Sequence, residues 1–294
     1  MSLTLSLPLL AQAFVSGLML GGLFGLIATG LTLIWGVLKI VNFAHGEFLM
    51  IGLYIAYFLS ARGGLDPYLT IVITVPALFL IGSGIFAANI RPVLKDPTMN
   101  QILLTVGLML VLQNLALVLF SATPLSLENE YNRLTIQAGP LVIPLSNLIG
   151  FVGSLLGVGL LTWFLQYTDM GRAIRAAAQN RDAATLMGID VRRTYLVAFG
   201  LGSACVGLAA PLMVTFYYVS PLVGNFLGLV AFIVVVLGGM GNTVGALLGG
   251  IIIGLSETLG AAMLPGSLSR VLTFAIFVLV LLFRPQGILS RRKR

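Results

Sequence analysis

Three polar side chains inside one apolar run raise the first question of function. In 41-VNFAHGEFLMIGLYIAY-57, Asn42, His45 and Glu47 stand among residues suited to a membrane interior, and His45 is the single histidine of the chain. In lipid such groups are costly, and they usually face a bundle interior or a water-filled cavity. Spacings of three and two keep the three residues off one helical face. Gly46, between His45 and Glu47, invites a helix break. The backbone groups freed by a break are tolerated only where they line a cavity or are buried in protein. Two readings follow. The segment forms or supports a translocation path near the midplane, or it pins a helix turn near the cytoplasmic surface, with Lys39 in the nearby interface.

Membrane transporters often carry Gly-interrupted segments in both halves, and these point to the solute site. The candidate counterpart is 238-GGMGNTVGALLGG-250, with Gly238, Gly239, Gly241 and Asn242 at its start. Glu257, inside a later apolar run, is a gate candidate or a partner for Arg270; otherwise it is an interfacial glutamate reaching water. Gly17, Gly21 and Gly25, and Gly241, Gly245 and Gly249, recur every four residues and read as helix-packing faces. Trp163 and Tyr167 read as interface anchors.

The whole chain shares that apolar character. Of 294 residues, 59% are hydrophobic and 9% charged, with a mean hydropathy of +1.08. A soluble domain carries about 25% charged residues, so this chain lacks the polar surface to cover a globule in water. The class is an all-α integral membrane protein, a polytopic bundle of about 8–10 transmembrane helices, some of them broken. Residues 1–294 read as a single domain. The N-terminal 1-MSLTLSLPLLAQAF-14 lacks the basic start of a signal peptide and reads as mature sequence leading into the first span. Cys205, the one cysteine, reads as a small buried hydrophobe.

Enzyme chemistry finds little support. None of the three lysines lies in a G-x-x-x-x-G-K-[ST] context, so ATP hydrolysis by that route is excluded. One histidine cannot supply H-E-x-x-H, and no G-x-S-x-G elbow is present. No metal site and no bound cofactor are expected.

Windows of about 20 apolar residues occur near 10–36, 44–60, 68–88, 100–120, 146–166, 194–216, 222–238, 243–263 and 268–283. The net charge of +7 is concentrated between them. Arg91 and Lys95 mark one loop, Arg172 to Arg193 another, and Arg284 to Arg294 the tail. That is the positive-inside pattern and no nucleic-acid footprint. It places segments 89–99, 167–193 and 284–294, including the C-terminus, in the cytoplasm, and the loop 121–145 outside. A basic tail beside lipid also favours anionic headgroups.

The longest polar stretch is 167-YTDMGRAIRAAAQNRDAATLMGIDVRR-193. Asp169 reads as an N-cap, the alanine-rich run as one helix, and Gly188 as its end. Arg175, Gln179 and Asp182 then share a polar face, with alanines opposite. Such a helix suits docking into a partner's groove.

Together these segments resemble the membrane permease subunits of bacterial ABC importers for branched-chain amino acids. The segment 39-KIVNFAHGEFLMIG-52 is similar to that family's N-x-A-H-G-E run. The stretches 171-GRAIRAAAQNRDAATLMGI-189, 236-VLGGMGNTVGALLGGIIIG-254 and 283-FRPQGIL-289 follow its pattern in order. Importer permeases of this broad type share a loop motif E-A-A-x-x-x-G. Here 182-DAATLMG-188 fits with aspartate in place of glutamate, and the motif's more distant leucine–proline end is missing. The resemblance implies a second related permease subunit, two cytoplasmic ATPase subunits that use ATP, and an extracytoplasmic substrate-binding protein. It implies ATPase coupling through Arg172, Arg175, Gln179, Asp182, Ala183, Ala184 and Gly188. The expected substrates are leucine, isoleucine and valine in the bacterial inner membrane. Urea, short amides or other amino acids are the alternative within the family, and an ATP-independent secondary transporter or channel the alternative outside it.

Overall fold

The computed structural model describes residues 7–264, 268–283 and 287. The basic tail and most of 283-FRPQGIL-289 lie outside the described residues, as does the side chain of Arg270. Each of the nine apolar windows holds a helix: α1 (Leu7–Leu38), α2 (His45–Ala61), α3 (Ile71–Ile85), α4 (Thr98–Phe120) and α5 (Leu145–Tyr167) in the first part. Two polar helices follow, α6 (Asp169–Gln179) and α7 (Arg181–Leu186). Then come α8 (Val191–Val214), α9 (Val223–Gly238), α10 (Thr243–Met263) and α11 (Leu268–Phe283). A π-helical turn, Phe86–Ile90, continues α3, and a short hairpin pairs β1 (Thr135–Ala138) with β2 (Leu141–Pro144).

Six of these helices are long and apolar enough to cross a membrane, counting α3 with its π turn. Helices α2 and α9, at 17 and 16 residues, reach only about 26 and 24 Å at 1.5 Å per residue. The hydrocarbon core is about 30 Å thick, so neither crosses it alone. They are nonetheless among the most buried helices, packed on each other and on α1 and α8. Short helices begin within the bundle where neighbours can satisfy their free ends.

Glycines set the closest approaches. A β-carbon on Gly17 or Gly21 would lie 2.9 Å from Gly254 O or 2.6 Å from Ile251 Cα, so the first glycine face seats α1 on α10 within this chain. The second does not act as one face. Gly241 meets Gly36, whereas Gly245 and Gly249 turn to α9, and α10 meets α1 through Gly250 and Gly254 instead. Trp163 and Tyr167 are exposed near the end of α5, and Cys205 is buried and free.

The two ends of the bundle differ in charge. Arg91 and Lys95 from one basic loop share a cleft with Arg181 and Arg192 from the other, so the two loops lie on the same side. At the opposite end, Tyr131 Oη donates to Asp66 Oδ2 at 2.5 Å, Asn129 Nδ2 donates to Thr215 O at 2.8 Å, and Gln12 Nε2 donates to Val142 O at 2.8 Å.

Candidate functional site

The chain breaks between α1 and α2, but not at Gly46. Lys39 takes a positive φ of 60°, and Asn42 Oδ1 accepts the Ala44 N–H at 3.2 Å, closing a side-chain turn that launches α2 at His45. Gly46 is therefore inside the first turn of α2. Its role is close approach: a β-carbon there would lie 2.0 Å from Gly224 O and 2.8 Å from Gly228 Cα, both in α9.

Glu47 sits one residue on, fully buried, with its carboxylate against Gly224. It lies in the first turn of α2 and beside the first turn of α9, so two helix N-termini converge on one carboxylate. Each such end favours a negative charge by up to about 2 kcal/mol in partly buried geometry. Removing a carboxylate from water costs several kcal/mol after relaxation, which the two ends offset only in part. Among the described residues, neither carboxylate oxygen has a hydrogen-bond partner.

His45 is also buried. Its Nε2 lies 3.1 Å from Ile27 O, deep in α1. A carbonyl only accepts, so Nε2 carries the hydrogen, and Nδ1 is left without a partner among the described residues. Asn42 Nδ2 and Tyr54 Oη are also buried and unpartnered among the described residues. Tyr54 follows Glu47 by seven residues, two turns along the same face of α2. The sequence reading passed over it, although that spacing was the available signal. Tyr54 stacks on Phe120 with ring centroids 4.2 Å apart. It borders an apolar cavity of about 490 Å³ between α2 and α4, lined also by Met50, Leu112 and Ala116.

The counterpart segment is not part of this cluster. Gly238 ends α9, Gly239 and Gly241 take φ values of 99° and 88°, and Asn242 Oδ1 caps α10 by accepting the Gly245 N–H at 3.0 Å. Gly238 and Gly245 touch backbone to backbone. Glu47 therefore meets the start of α9 and Gly238 to Asn242 its end, about 21 Å apart along the axis. The two asparagines do share a local task, since each caps the chain ahead of a helix. Glu257 is half-buried in α10.

The polar stretch 167–193 is two helices, not one. Asn180 leaves helical geometry at φ −152°, and its Oδ1 accepts the N–H groups of Asp182 and Ala183 at 3.0 Å each, starting α7. Asparagine prefers this capping role to a helix interior, which the alanine-rich composition concealed. The cap of α6 is Thr168, whose Oγ1 accepts the Gly171 N–H at 3.0 Å, and not Asp169, which pairs with Arg172. Arg175 and Gln179 are exposed on α6, and Asp182 belongs to α7, so the expected common face is divided. Arg175 also reaches back to Leu165 O.

The small-residue face of α6 is already occupied. Gly171, Ile174 and Ala177 are buried against this chain. Ala184 is buried on α7, while Ala183 is exposed. What remains bare is Leu186 and Met187, 88% and 82% exposed, just before Gly188 at φ 80°. These two apolar residues are missing from the sequence reading, because an apolar pair in an amphipathic helix is ordinarily its buried side.

Residues 13–281 match the family described as the permease component of branched-chain amino acid transport systems. The chain belongs to that family. It is 32% identical over 297 residues to the high-affinity branched-chain amino acid transport system permease protein LivH of Salmonella typhimurium, covering 95% of each chain. The corresponding figures for the permease protein BraD of Pseudomonas aeruginosa are 33% over 293 residues and 95% of each. A probable branched-chain amino acid transport permease protein LivH of Methanocaldococcus jannaschii is 30% identical over 280 residues, covering 90% of this chain and 87% of the relative. No solved structure matches significantly. The permease family is one of transport subunits, which agrees with the lack of an ATP-binding loop.

Proposed function

We propose that this chain is the transmembrane permease subunit of an ATP-driven importer for branched-chain amino acids, paired with a second permease and driven by separate ATPase subunits. What carries the reading is its similarity, over 95% of its length, to proteins named as high-affinity branched-chain amino acid permeases. The site chemistry agrees. A leucine-type side chain needs a mainly apolar route, and the cavity between α2 and α4 is apolar with one phenol at its edge. Its charged ammonium and carboxylate need polar groups nearby, and α2 carries Glu47 and His45 with unsatisfied atoms. Delivery from outside falls to a substrate-binding protein.

The end bearing Arg91, Lys95 and the α6–α7 pair faces the cytoplasm in this reading, because basic residues accumulate on the inner side. There the bare Leu186–Met187 pair is the contact for an ATPase groove. Arg172, Arg175, Gln179 and Asp182 lie along the two helices that lead to it, and Gly188 sets the angle at which it projects. ATP acts on those partner subunits, and this chain binds no cofactor.

The test is uptake of labelled leucine and labelled urea, side by side, in cells lacking this gene and after its restoration. Loss and rescue of leucine uptake alone is expected. Loss of urea uptake alone moves the substrate and keeps the architecture, and no change in either rejects both substrates.

A further inference from the structure

At the end of the bundle where the basic loops meet, a cleft of about 510 Å³ opens between the end of α3 and the start of α8. Its rim carries Arg91 and Lys95 from one wall and Arg181 and Arg192 from the other. All four side chains are exposed, and among the described residues lining the cleft none is acidic. Arg91, Lys95 and Arg192 have no ion pair among the described residues. Arg181 lies over the ring of Tyr195, with its guanidinium carbon 5.9 Å from the centroid, which holds that cation beside the cleft.

The floor has the opposite character. Phe86, Leu94 and Val191 line it, so the cleft is basic at the rim and apolar within. Its shape comes from the chain's exit from the bundle. The π turn Phe86–Ile90 widens the end of α3, and Pro92 then starts a 3₁₀ turn that swings Lys95 outward. Four cations gathered from loops about a hundred residues apart in sequence are held on a preformed cavity, which a merely solvated basic face does not require. A phosphate among arginines gains charge-assisted and bidentate hydrogen bonds, and the apolar floor suits what is attached to that phosphate.

We infer that this cleft binds the headgroup of an anionic phospholipid, with the phosphate among Arg91, Lys95 and Arg192 and the glycerol end against Phe86 and Leu94. The position favours lipid over a protein acid. Helices α3 and α8 are apolar spans that end at the cleft, so it lies at the level where headgroups meet the bundle. The inference rests on the sidedness proposed above only for which leaflet supplies the lipid.

The test is lipid retention by the full chain, purified in detergent and read by native mass spectrometry. The protein is incubated with vesicles of phosphatidylglycerol, with vesicles of phosphatidylcholine, or with inorganic phosphate. Preferential retention of phosphatidylglycerol is expected, with affinity falling about five-fold for each cation removed in Arg91→Gln, Lys95→Gln and Arg192→Gln. Arg192→Lys keeps the charge and is expected to retain the lipid, which separates lost binding from lost folding. Equal retention of both lipids overturns the inference. So does tight binding of inorganic phosphate with no lipid preference, which marks a free-anion site. Loss of ATPase-subunit association in the glutamine variants, with lipid retention unchanged, assigns the rim to an acidic protein surface instead. Retention is read without substrate or ATP, so its failure leaves the transport reading untouched, and failed uptake leaves the lipid site untouched.

Discussion

The carboxylate of Glu47 lies against the backbone of Gly224, so close that a β-carbon on the glycine would sit 2.5 Å from Glu47 Oε2. One residue belongs to the first turn of α2 and the other to the first turn of α9. Two helices too short to span alone thus start from one buried acid. Their N-termini present positive ends to it, yet no donor among the described residues reaches its oxygens. We propose that this acid serves transport and does not merely pin the two helices.

Glu47→Gln tests that idea. The amide keeps the volume and cannot ionise, so the variant separates the acid's charge and proton from its packing. Folded protein in the membrane and its melting temperature are expected to hold or rise, while leucine uptake falls. A drop in folded protein of the same size as the drop in uptake would instead make Glu47 a structural pin.

Gly46 in α2 and Gly159 in α5 predict a stability contrast set by their neighbours, since alanine gains the same helix propensity at both. Gly46→Ala pushes a methyl into Gly224 O and is expected to cost about 1–3 kcal/mol through overpacking. Gly159→Ala meets nothing within 4 Å and is expected to be neutral or to stabilise by up to about 1 kcal/mol. Thermal unfolding in detergent measures both, and equal shifts would remove the close-packing argument.

Much of this was legible beforehand. Apolar runs located each of the six helices long enough to span among the described residues, because length and composition alone set them, and the charge pattern grouped the basic loops that now share a cleft. The pairing of Glu47 with Gly224 was not legible, since nothing local links positions 177 residues apart. Where the two Gly-rich segments sit was not legible for the same reason: similar local grammar, an asparagine ahead of a helix, serves two different ends of α9. The break at Asn180 was hidden by alanines that favour helix on both sides, although asparagine as a cap was the available sign.

At the end of the bundle opposite the basic cleft, Tyr131 donates to Asp66, and this bond raises the phenol's pKa above its ordinary value. A raised folded-state pKa stabilises the protonated form. The tether is therefore present below an ordinary tyrosine pKa of about 10 and is lost as pH rises through the higher folded value. Hydrogen exchange across 127–134 is expected to show protection that disappears on that alkaline side. Tyr131→Phe is expected to lack this protection at neutral pH already. Protection in the variant equal to the parent's would show that the bond does not hold the loop.

The coupling tip makes a sharper demand. Leu186 and Met187 bury almost nothing in this chain, so Leu186→Ser with Met187→Ser is expected to leave the melting temperature within about 0.5 kcal/mol equivalent of the parent, as for surface changes. Co-purification with the ATPase subunits and leucine uptake are both expected to fall. Gly188→Val acts differently. Its φ of 80° is disfavoured for a β-branched side chain by roughly 1–2 kcal/mol, so the tip is expected to reorient while its apolar pair stays exposed. That variant should retain ATPase binding in part and lose transport per ATP hydrolysed, a ratio measurable in reconstituted vesicles. Normal uptake in both variants would remove α7 from energy coupling. Loss of ATPase binding in the serine pair but not in Gly188→Val would separate the surface that grips the ATPase from the angle that transmits its motion.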